Sequence, residues 1–234
     1  MKIAVLGTGP VGQNLASRLA EVGHVVTMGT RDPDATMART DDDGSATYAA
    51  WQKEHPDVRL ETFDEAARQA DLVVNASGGD VALAVLDQAG GANLAGKVLV
   101  DVSNPLDHSQ GFPPGLFVKD TDSLAEQIQR AHPDARVVKT LNTMNNDVMV
   151  RPEALGASTT VFLSGDDVEA KAIVTGLLES FGHDDVLDLG ELSTARGAEM
   201  FLPLWIRLRL ALGTNAFNIK VVRGPGTVDR ADAG

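Results

Sequence analysis

The 234-residue sequence contains no cysteine. It can therefore form no disulfide, and it offers no thiolate that could act as a nucleophile or bind a metal ion. The histidines are His24, His55, His108, His132 and His183. None is paired with another at the spacing of metal ligands, and no G-x-S-x-G sequence of a serine nucleophile is present. We therefore predict no metal site.

Positive charge is also scarce, because 20 lysines and arginines stand against 33 aspartates and glutamates, a net charge of −13. This balance argues against nucleic acid or an anionic membrane surface as a general partner. No stretch approaches the roughly 20 apolar residues of a membrane span. The chain also starts in an apolar run rather than in a charged leader. We expect a cytoplasmic protein that can bury a core in one large domain or in a domain with an appendage.

A glycine-rich connection lies near the start of the chain. Ile3–Leu6 is typical of a strand buried on both faces. Apolar residues then recur along one stripe over residues 11–22, which predicts a helix. Gly7, Gly9 and Gly12 lie between or at the start of these elements in the G-x-G-x-x-G spacing.

The three glycines serve different physical needs. The first allows a tight turn, the second lets a pyrophosphate approach the backbone, and the third lets the helix pack closely on the strand. The free N–H groups and the positive dipole end of the helix then bind the pyrophosphate. We therefore predict a dinucleotide-binding turn, with a plain glycine-rich turn as the alternative. Its candidate cofactor contacts are Gly7, Thr8, Gly9, Pro10, Val11 and Gly12.

The end of the second strand indicates which dinucleotide is preferred. His24–Met28 predicts that strand, and it is followed by Gly29–Pro33. An acidic residue here favours NAD, whereas arginine with a hydroxyl residue favours the 2′-phosphate of NADP, which a guanidinium can bind bidentately. Because Thr30 and Arg31 come first, we predict NADP(H). The alternative assigns the ribose to Asp32 and leaves Arg31 as a surface charge.

Apolar strands continue to alternate with helices along the chain. Further strands are predicted at Val58–Thr62, Leu72–Ala76, Lys97–Val102 and Val137–Leu141. This alternation predicts a doubly wound, mainly parallel sheet whose ligands bind beyond the carboxyl ends of the strands. The residues at three strand ends are therefore candidate binding residues, although each alone fits an ordinary turn. They are Asn75, Ala76, Ser77, Gly78, Ser103, Asn104, Asn142 and Thr143.

Three connecting segments carry weaker patterns. The chain from Asp34 is predicted to be irregular until a helix at Ser45–Lys53. Within it, Asp41–Asp43 lacks the alternating ligands of a calcium loop and is predicted to be a solvated loop. Asp64 is the predicted N-cap of the next helix, which begins at Phe63. The long connection from His108 to Asp134 fits a lid or substrate loop as well as a mere excursion.

The last part of the chain has a different pattern. A strand at Thr159–Leu163, a helix at Val168–Phe181 and a strand at Val186–Leu189 precede a strongly apolar segment, Thr194–Leu212. Pro203 predicts a kink or two shorter helices there. Because this segment is apolar nearly all round it must be buried, and a subunit interface is one way to bury it.

Candidate acid–base groups are few, and no catalytic residue is assigned. Hydride transfer between two bound cofactors needs mainly proximity and stacking, because the cofactors carry the chemistry. Reduction of a carbonyl needs a proton donor as well. Lys139, near the end of the sixth strand, is the one candidate donor, although we favour a surface or structural lysine there. We regard Asn142, Lys139 and Ser103 as candidate positioning residues.

These residues together resemble the NADP oxidoreductases that depend on the deazaflavin coenzyme F420, in the 6-phosphogluconate-dehydrogenase-like Rossmann group. The resemblance covers roughly Met1 to Val221. The stretches that carry it are Gly7–Gly12, Gly29–Arg31, Asp101–Pro105, Lys139–Thr143, Ser164–Asp167 and the run from Ala195 to Trp205.

The resemblance implies a Rossmann domain over residues 1–146 that holds NADP(H). It further implies a small C-terminal α+β or helical domain over residues 147–222, which caps the nicotinamide and forms a homodimer through its last helix. Residues 223–234 are expected to be a flexible tail. The deazaflavin ring would stack over the nicotinamide near the fourth and sixth strand ends. One departure lies there, since some deazaflavin-using members carry histidine at Asn142 and proline at Asn145 or Asn146.

Three functions follow as hypotheses. We predict an NADPH-linked oxidoreductase that passes hydride to or from the deazaflavin, with small-molecule cofactors as its only partners besides a second copy. The same fold could reduce a flavin, a ferric complex or a small carbonyl. A non-catalytic NADP-binding sensor is the third reading. The sequence leaves the direction of transfer and the electron partner open.

Overall fold

The computed structural model describes residues 1–40 and 47–224. Within them the chain forms one eight-stranded sheet and a separate two-stranded hairpin. The predicted Asp41–Asp43 loop, the start of the predicted Ser45–Lys53 helix and the tail beyond Gly224 lie outside the described residues.

The strands of the described chain are β1 Lys2–Leu6, β2 Val25–Thr30, β3 Arg59–Thr62, β4 Leu72–Asn75, β5 Val98–Asp101, β6 Leu106–Asp107, β7 Gly115–Leu116, β8 Arg136–Thr140, β9 Val161–Gly165 and β10 Val186–Asp188. The large sheet has the order β10-β9-β8-β5-β4-β1-β2-β3. Its strands from β8 to β3 in this order are parallel. Strand β9 pairs antiparallel to β8, and β10 pairs parallel to β9. The predicted doubly wound, mainly parallel sheet is confirmed. The order in which the chain adds its strands reverses between β1 and β4.

The helices of the described chain are α1 Pro10–Glu21, α2 Pro33–Ala38, α3 Tyr48–Glu54, α4 Phe63–Gln69, α5 Ala82–Ala89, α6 Gly91–Leu94, α7 Leu124–Ala131, α8 Asn146–Val150, α9 Val168–Phe181, α10 Ala195–Met200 and α11 Leu202–Leu212. They cover both faces of the sheet. In β1, Ile3 and Val5 point into one hydrophobic core, and Ala4 and Leu6 point into the other. This double burial explains why the strand reads as a continuous apolar run.

Two predictions about helix starts were wrong. The chain from Asp34 is not irregular at first, because Asp32 caps α2 by accepting from Ala35 N at 3.0 Å. Helix α4 is capped by Thr62, whose hydroxyl accepts from Glu65 N, and not by Asp64. Both caps are polar residues at a strand end, where the chain turns directly from strand or bend into helix.

The C-terminal apolar segment forms two helices, as Pro203 predicts, with the break at Phe201 and the proline in the first turn of α11. Helix α11 buries Leu202 and Ile206 against the rest of this chain. Leu210 and Leu212 remain exposed by 51% and 57%. The expected burial is therefore incomplete within one copy. In the part of the chain that the structure describes, no helix is long and apolar enough to cross a membrane.

Candidate functional site

The glycine turn between β1 and α1 forms a tight cradle of backbone. Gly7 adopts φ +121° and donates its N–H to Gly29 O at 3.0 Å, and an added Cβ there would lie 2.6 Å from Ala76 O. A Cβ on Gly12 would collide with Gly7 O. Around Gly9, by contrast, a Cβ would meet no atom of the described chain within 4 Å. The first and third glycines therefore serve protein packing, and the second faces open space.

The amino end of α1 is free to bind a ligand. Gly9 is its N-cap and Pro10 its first residue, and no side chain of the described residues caps the helix. The side chain of Gln13 donates to Thr8 O at 2.8 Å, which fixes the turn from inside. The first N–H groups of the helix thus keep their positive ends available for an anion.

At the end of β2, the three residues considered for the adenosine ribose have different surroundings. Thr30 is buried, and its hydroxyl lies 2.8 Å from that of Thr36. Asp32 uses Oδ1 to cap α2. Arg31 is exposed, and its guanidinium has no hydrogen bond or ion pair within residues 1–40 and 47–224. At this strand end the cation is therefore wholly free among the described residues, whereas the carboxylate has one oxygen engaged in the cap.

A cavity of about 600 Å³ lies beyond the carboxyl ends of the parallel strands. The predicted residues on its wall are Val11, Ala76, Ser77, Gly78, Ser103, Asn104 and Asn142. The cavity thus joins the amino end of α1 to the ends of β4, β5 and β8. Residues from four separate parts of the sequence meet there.

Asn75 lies beneath this wall. It is fully buried, and its Nδ2 donates to Asp101 Oδ1 at 2.9 Å. Its own Oδ1 accepts from the N–H and the hydroxyl of Ser77, at 3.3 and 2.6 Å. Asn75 therefore shapes the loop that carries Ser77, and its carboxamide is already engaged within the protein. Its predicted cofactor contact would have to act through Ser77.

The same turn recurs at the end of β5, where Asp101 Oδ1 accepts from the N–H and the hydroxyl of Ser103 at 3.2 and 2.7 Å. The other oxygen, Oδ2, accepts from Lys139 Nζ at 2.7 Å. That ammonium also contacts Ser103 O at 2.6 Å and Glu199 Oε1 at 2.9 Å. All three donors of Lys139 are engaged, and its side chain is wholly buried.

Electrostatics keep Lys139 charged. Burial by itself lowers the pKa of Lys139, but the carboxylates of Asp101 and Glu199 outweigh it and hold that pKa above its usual value. Release of a proton would leave two carboxylates buried without a cation, which is costly. The geometry therefore favours the positioning role predicted for Lys139 over the role of proton donor.

Asn142 and Asn104 hold each other at the cavity wall. Asn142 Nδ2 donates to Asn104 Oδ1 and to Ala198 O, both at 3.0 Å. In return, Asn104 Nδ2 donates to Asn142 O at 3.0 Å. The loop after β8 is thereby bonded to the loop after β5 and to α10. Thr143, also predicted, is buried with a hydroxyl that has no partner among the described residues.

Other wall residues were not predicted as site residues. Asp107, His108 and Phe117 come from the β6–β7 hairpin and its surroundings, and Leu202 and Trp205 come from α11. The indole Nε1 of Trp205 is enclosed and lacks a partner in the described chain. For the hairpin, the long connection was the only available signal. For α11, the apolar pattern indicated burial but not what the helix would cover.

This sheet order, glycine turn and cavity define a dinucleotide-binding protein of the Rossmann type. Residues 2–105 match the family described as NADP oxidoreductase, coenzyme F420-dependent. The chain is 57% identical, with a TM-score of 0.92, to the crystal structure of a candidate F420-dependent NADP reductase from Arthrobacter sp. FB24, over 95% of this chain and all of that one. The chain belongs to the coenzyme F420-dependent NADP oxidoreductase family, which confirms the family named from the sequence.

More distant relatives carry two different names. The F420-dependent NADP reductase of Methanothermobacter marburgensis is 28% identical over 96% of this chain and 100% of its own length. The metalloreductase STEAP3 of Rattus norvegicus is 29% identical over 91% of this chain. The matched region is 39% of that protein's length, so the chain spans about two fifths of it.

Proposed function

We propose that this protein transfers hydride between NADP(H) and the deazaflavin coenzyme F420. The observation that carries the proposal is the proximity of two features: the open cradle at Gly9 and the 600 Å³ cavity whose wall includes Val11, two residues further along the same turn and helix. The family match names both cofactors. When bound, the two cofactors supply the hydride donor and the hydride acceptor, so the protein has to bind and orient them.

The cradle fits the dinucleotide. A Cβ at Gly9 would occupy the open space in front of the free amides of α1, where a pyrophosphate needs to approach. The exposed guanidinium of Arg31 would hold the 2′-phosphate, and the buried hydroxyl of Thr30 supports that strand end through Thr36. We assign the contacts further along the cofactor to Ser77 and Asn104.

The cavity wall fits a flat ring. Met144, Met149 and Leu202 offer apolar surface, and Asn142 supplies polar atoms at one side. Trp205 lies on the same wall with an indole N–H that lacks a partner in the described chain. These residues would exclude water from the ring that receives the hydride. Lys139 stays bonded to its carboxylates and holds its proton throughout.

A test mixes the protein with NADPH and oxidised coenzyme F420 and follows the visible absorbance of the deazaflavin. We expect this absorbance to fall with turnover, at a rate proportional to enzyme concentration. Parallel samples contain a free flavin, a ferric chelate or a small carbonyl in place of the deazaflavin. Turnover with the ferric chelate or the flavin, and none with coenzyme F420, would favour the alternative function as a ferric or flavin reductase, which the metalloreductase relative suggests. NADPH binding without turnover in any sample would indicate a non-catalytic NADP-binding sensor.

We further propose that two copies pair through α11. Leu204, Leu210 and Leu212 are more than half exposed on this helix, which also carries the exposed Arg207 and Arg209. A second copy packed along this helix would cover these leucines, and the same helix carries Trp205 into the cavity wall. The pairing concerns only the last helix. The domain boundaries at residues 146 and 222 and the cytoplasmic location therefore remain predictions.

The pairing is tested by light scattering after gel filtration. We expect a dimer for the natural chain and a monomer for the double variant Leu204→Glu, Leu210→Glu, because each glutamate would be buried without a partner in the interface. Val168→Glu is the matched control, since Val168 is 75% exposed on α9. The control should remain dimeric. A monomeric natural chain, or a dimeric double variant, would contradict the pairing.

A further inference from the structure

The turn that carries Asn142 is strained. Leu141 has φ +61°, which is a left-handed conformation rare for a branched, bulky residue, and it is buried. Asn142 N donates to Thr140 O at 2.8 Å, so the chain closes a three-residue turn of the rare, strained kind. Such strain costs free energy and persists where surrounding contacts over-determine it. The contacts around Asn142 show what holds it.

The carboxamide of Asn142 has one orientation. Both neighbours of its Nδ2, Asn104 Oδ1 and Ala198 O, are acceptors, so exchanging the oxygen and nitrogen would set oxygen against oxygen. Oδ1 is the remaining polar atom of the side chain, and it has no partner in residues 1–40 and 47–224. Asn142 therefore presents a hydrogen-bond acceptor, and not a donor, at the cavity wall.

The acceptor for this amide comes from α10, which is anchored by an ionic chain. Glu199 follows Ala198 directly, and its carboxylate accepts from Leu124 N and Ala125 N at 2.8 and 3.1 Å. It also pairs with Lys139 Nζ at 2.9 Å, and through that ammonium it is joined to Asp101. Glu199 is nearly fully buried. Its position therefore fixes the carbonyl that orients Asn142.

We propose that Glu199 is a positioning residue, which through Lys139 and Ala198 O holds Asn142 Oδ1 as the acceptor for an amide N–H of the bound nicotinamide cofactor. This inference rests on the proposed function. It makes the site selective for a ligand that carries a carboxamide, because a ligand group without an N–H would leave the fixed acceptor Asn142 Oδ1 unpaired. The strained turn at Leu141 holds the backbone of Asn142 in this same arrangement.

The test compares the dissociation constants of NADP⁺ and of its 3-acetylpyridine analogue, in which a methyl ketone replaces the carboxamide and removes its N–H groups. For the natural protein we expect the analogue to bind about tenfold more weakly. In Asn142→Ala the two ligands should bind alike. Glu199→Gln should lower the ratio toward one as well, whereas Glu179→Gln, the same change on the exposed side of α9, should leave it at about ten.

A purely structural role for Glu199 would lower the thermal midpoint without changing this ratio, and that result would overturn the inference. Equal binding of both ligands by the natural protein would also overturn it. Failure of the natural protein to bind NADP⁺ at all would instead overturn the proposed function. If Glu199→Gln does not fold, Glu199→Asp takes its place, because it keeps the charge and withdraws the carboxylate by one methylene.

Discussion

Replacement of Gly9 by alanine is expected to weaken NADPH binding by at least about a hundredfold while the protein stays folded. An added Cβ meets no protein atom of the described chain within 4 Å, so the fold has room for it. It would, however, stand in front of the free amides of α1. Loss of two hydrogen bonds to a charged phosphate, at about 1.5–3 kcal/mol each, costs at least about 3 kcal/mol, and about 2.7 kcal/mol corresponds to a hundredfold. Calorimetry with NADPH measures the loss, and thermal unfolding measures the stability.

Two further glycines provide the controls for this variant. In Gly12→Ala the new Cβ would collide with Gly7 O, so we expect loss of folded protein rather than selective loss of binding. In Gly176→Ala, on the exposed face of α9, a Cβ meets nothing within 4 Å of described atoms, and we expect a gain of about 0.5–1 kcal/mol in stability with unchanged binding. Full NADPH affinity in Gly9→Ala would show that the cradle does not hold the pyrophosphate.

Local patterns predicted the elements well where one physical requirement dominates. The apolar run of β1 reflects burial on both faces, and the prediction of α9 from Val168 to Phe181 is confirmed residue by residue. Asp167 caps that helix and Gly182 ends it with φ +106°. The cap of α4 was predicted wrongly as Asp64 in place of Thr62, because the choice of cap depends on where the strand stops.

Long-range partners could not be predicted. Lys139 was predicted as a candidate proton donor or as a surface or structural lysine, but Glu199 lies 60 positions further on and is visible only as the one carboxylate of an apolar segment. In the sequence, a lone carboxylate in a buried helix has no visible partner. The fold brings that partner, Lys139, to Glu199. It also places Asp101 beside Lys139, because strands β5 and β8 are neighbours in register.

The choice between NADP and NAD shows how a structure separates two readings of one sequence. Arg31 and Asp32 were both candidates for the ribose end of the cofactor. The structure uses Asp32 to cap α2, which satisfies one of the amide groups at the start of that helix. One oxygen of its carboxylate is thereby engaged within the protein, whereas the exposed guanidinium of Arg31 has no partner in the part of the chain that the structure describes. The site therefore offers a cation to the ligand at the place where NADP carries its additional phosphate.

Replacement of Arg31 by alanine is accordingly expected to weaken NADPH binding by about ten- to a hundredfold and NADH binding by less than about twofold. The estimate corresponds to the loss of a charge-assisted hydrogen bond of about 1.5–3 kcal/mol, which only the 2′-phosphate can make. Dissociation constants of both cofactors, measured at one ionic strength, test the prediction, because salt screens such exposed charges.

Arg59→Ala is the matched control for Arg31→Ala. Arg59 is exposed and begins β3, so it lies at the amino edge of the parallel sheet, opposite the cavity. The control removes the same charge from a protein with a net charge of −13 and should therefore reproduce any general electrostatic effect on an anionic ligand. If Arg31→Ala weakened NADPH and NADH equally, or only as much as Arg59→Ala does, Arg31 would be a surface charge. The ribose would then have to be recognised by Asp32, one oxygen of which already caps α2.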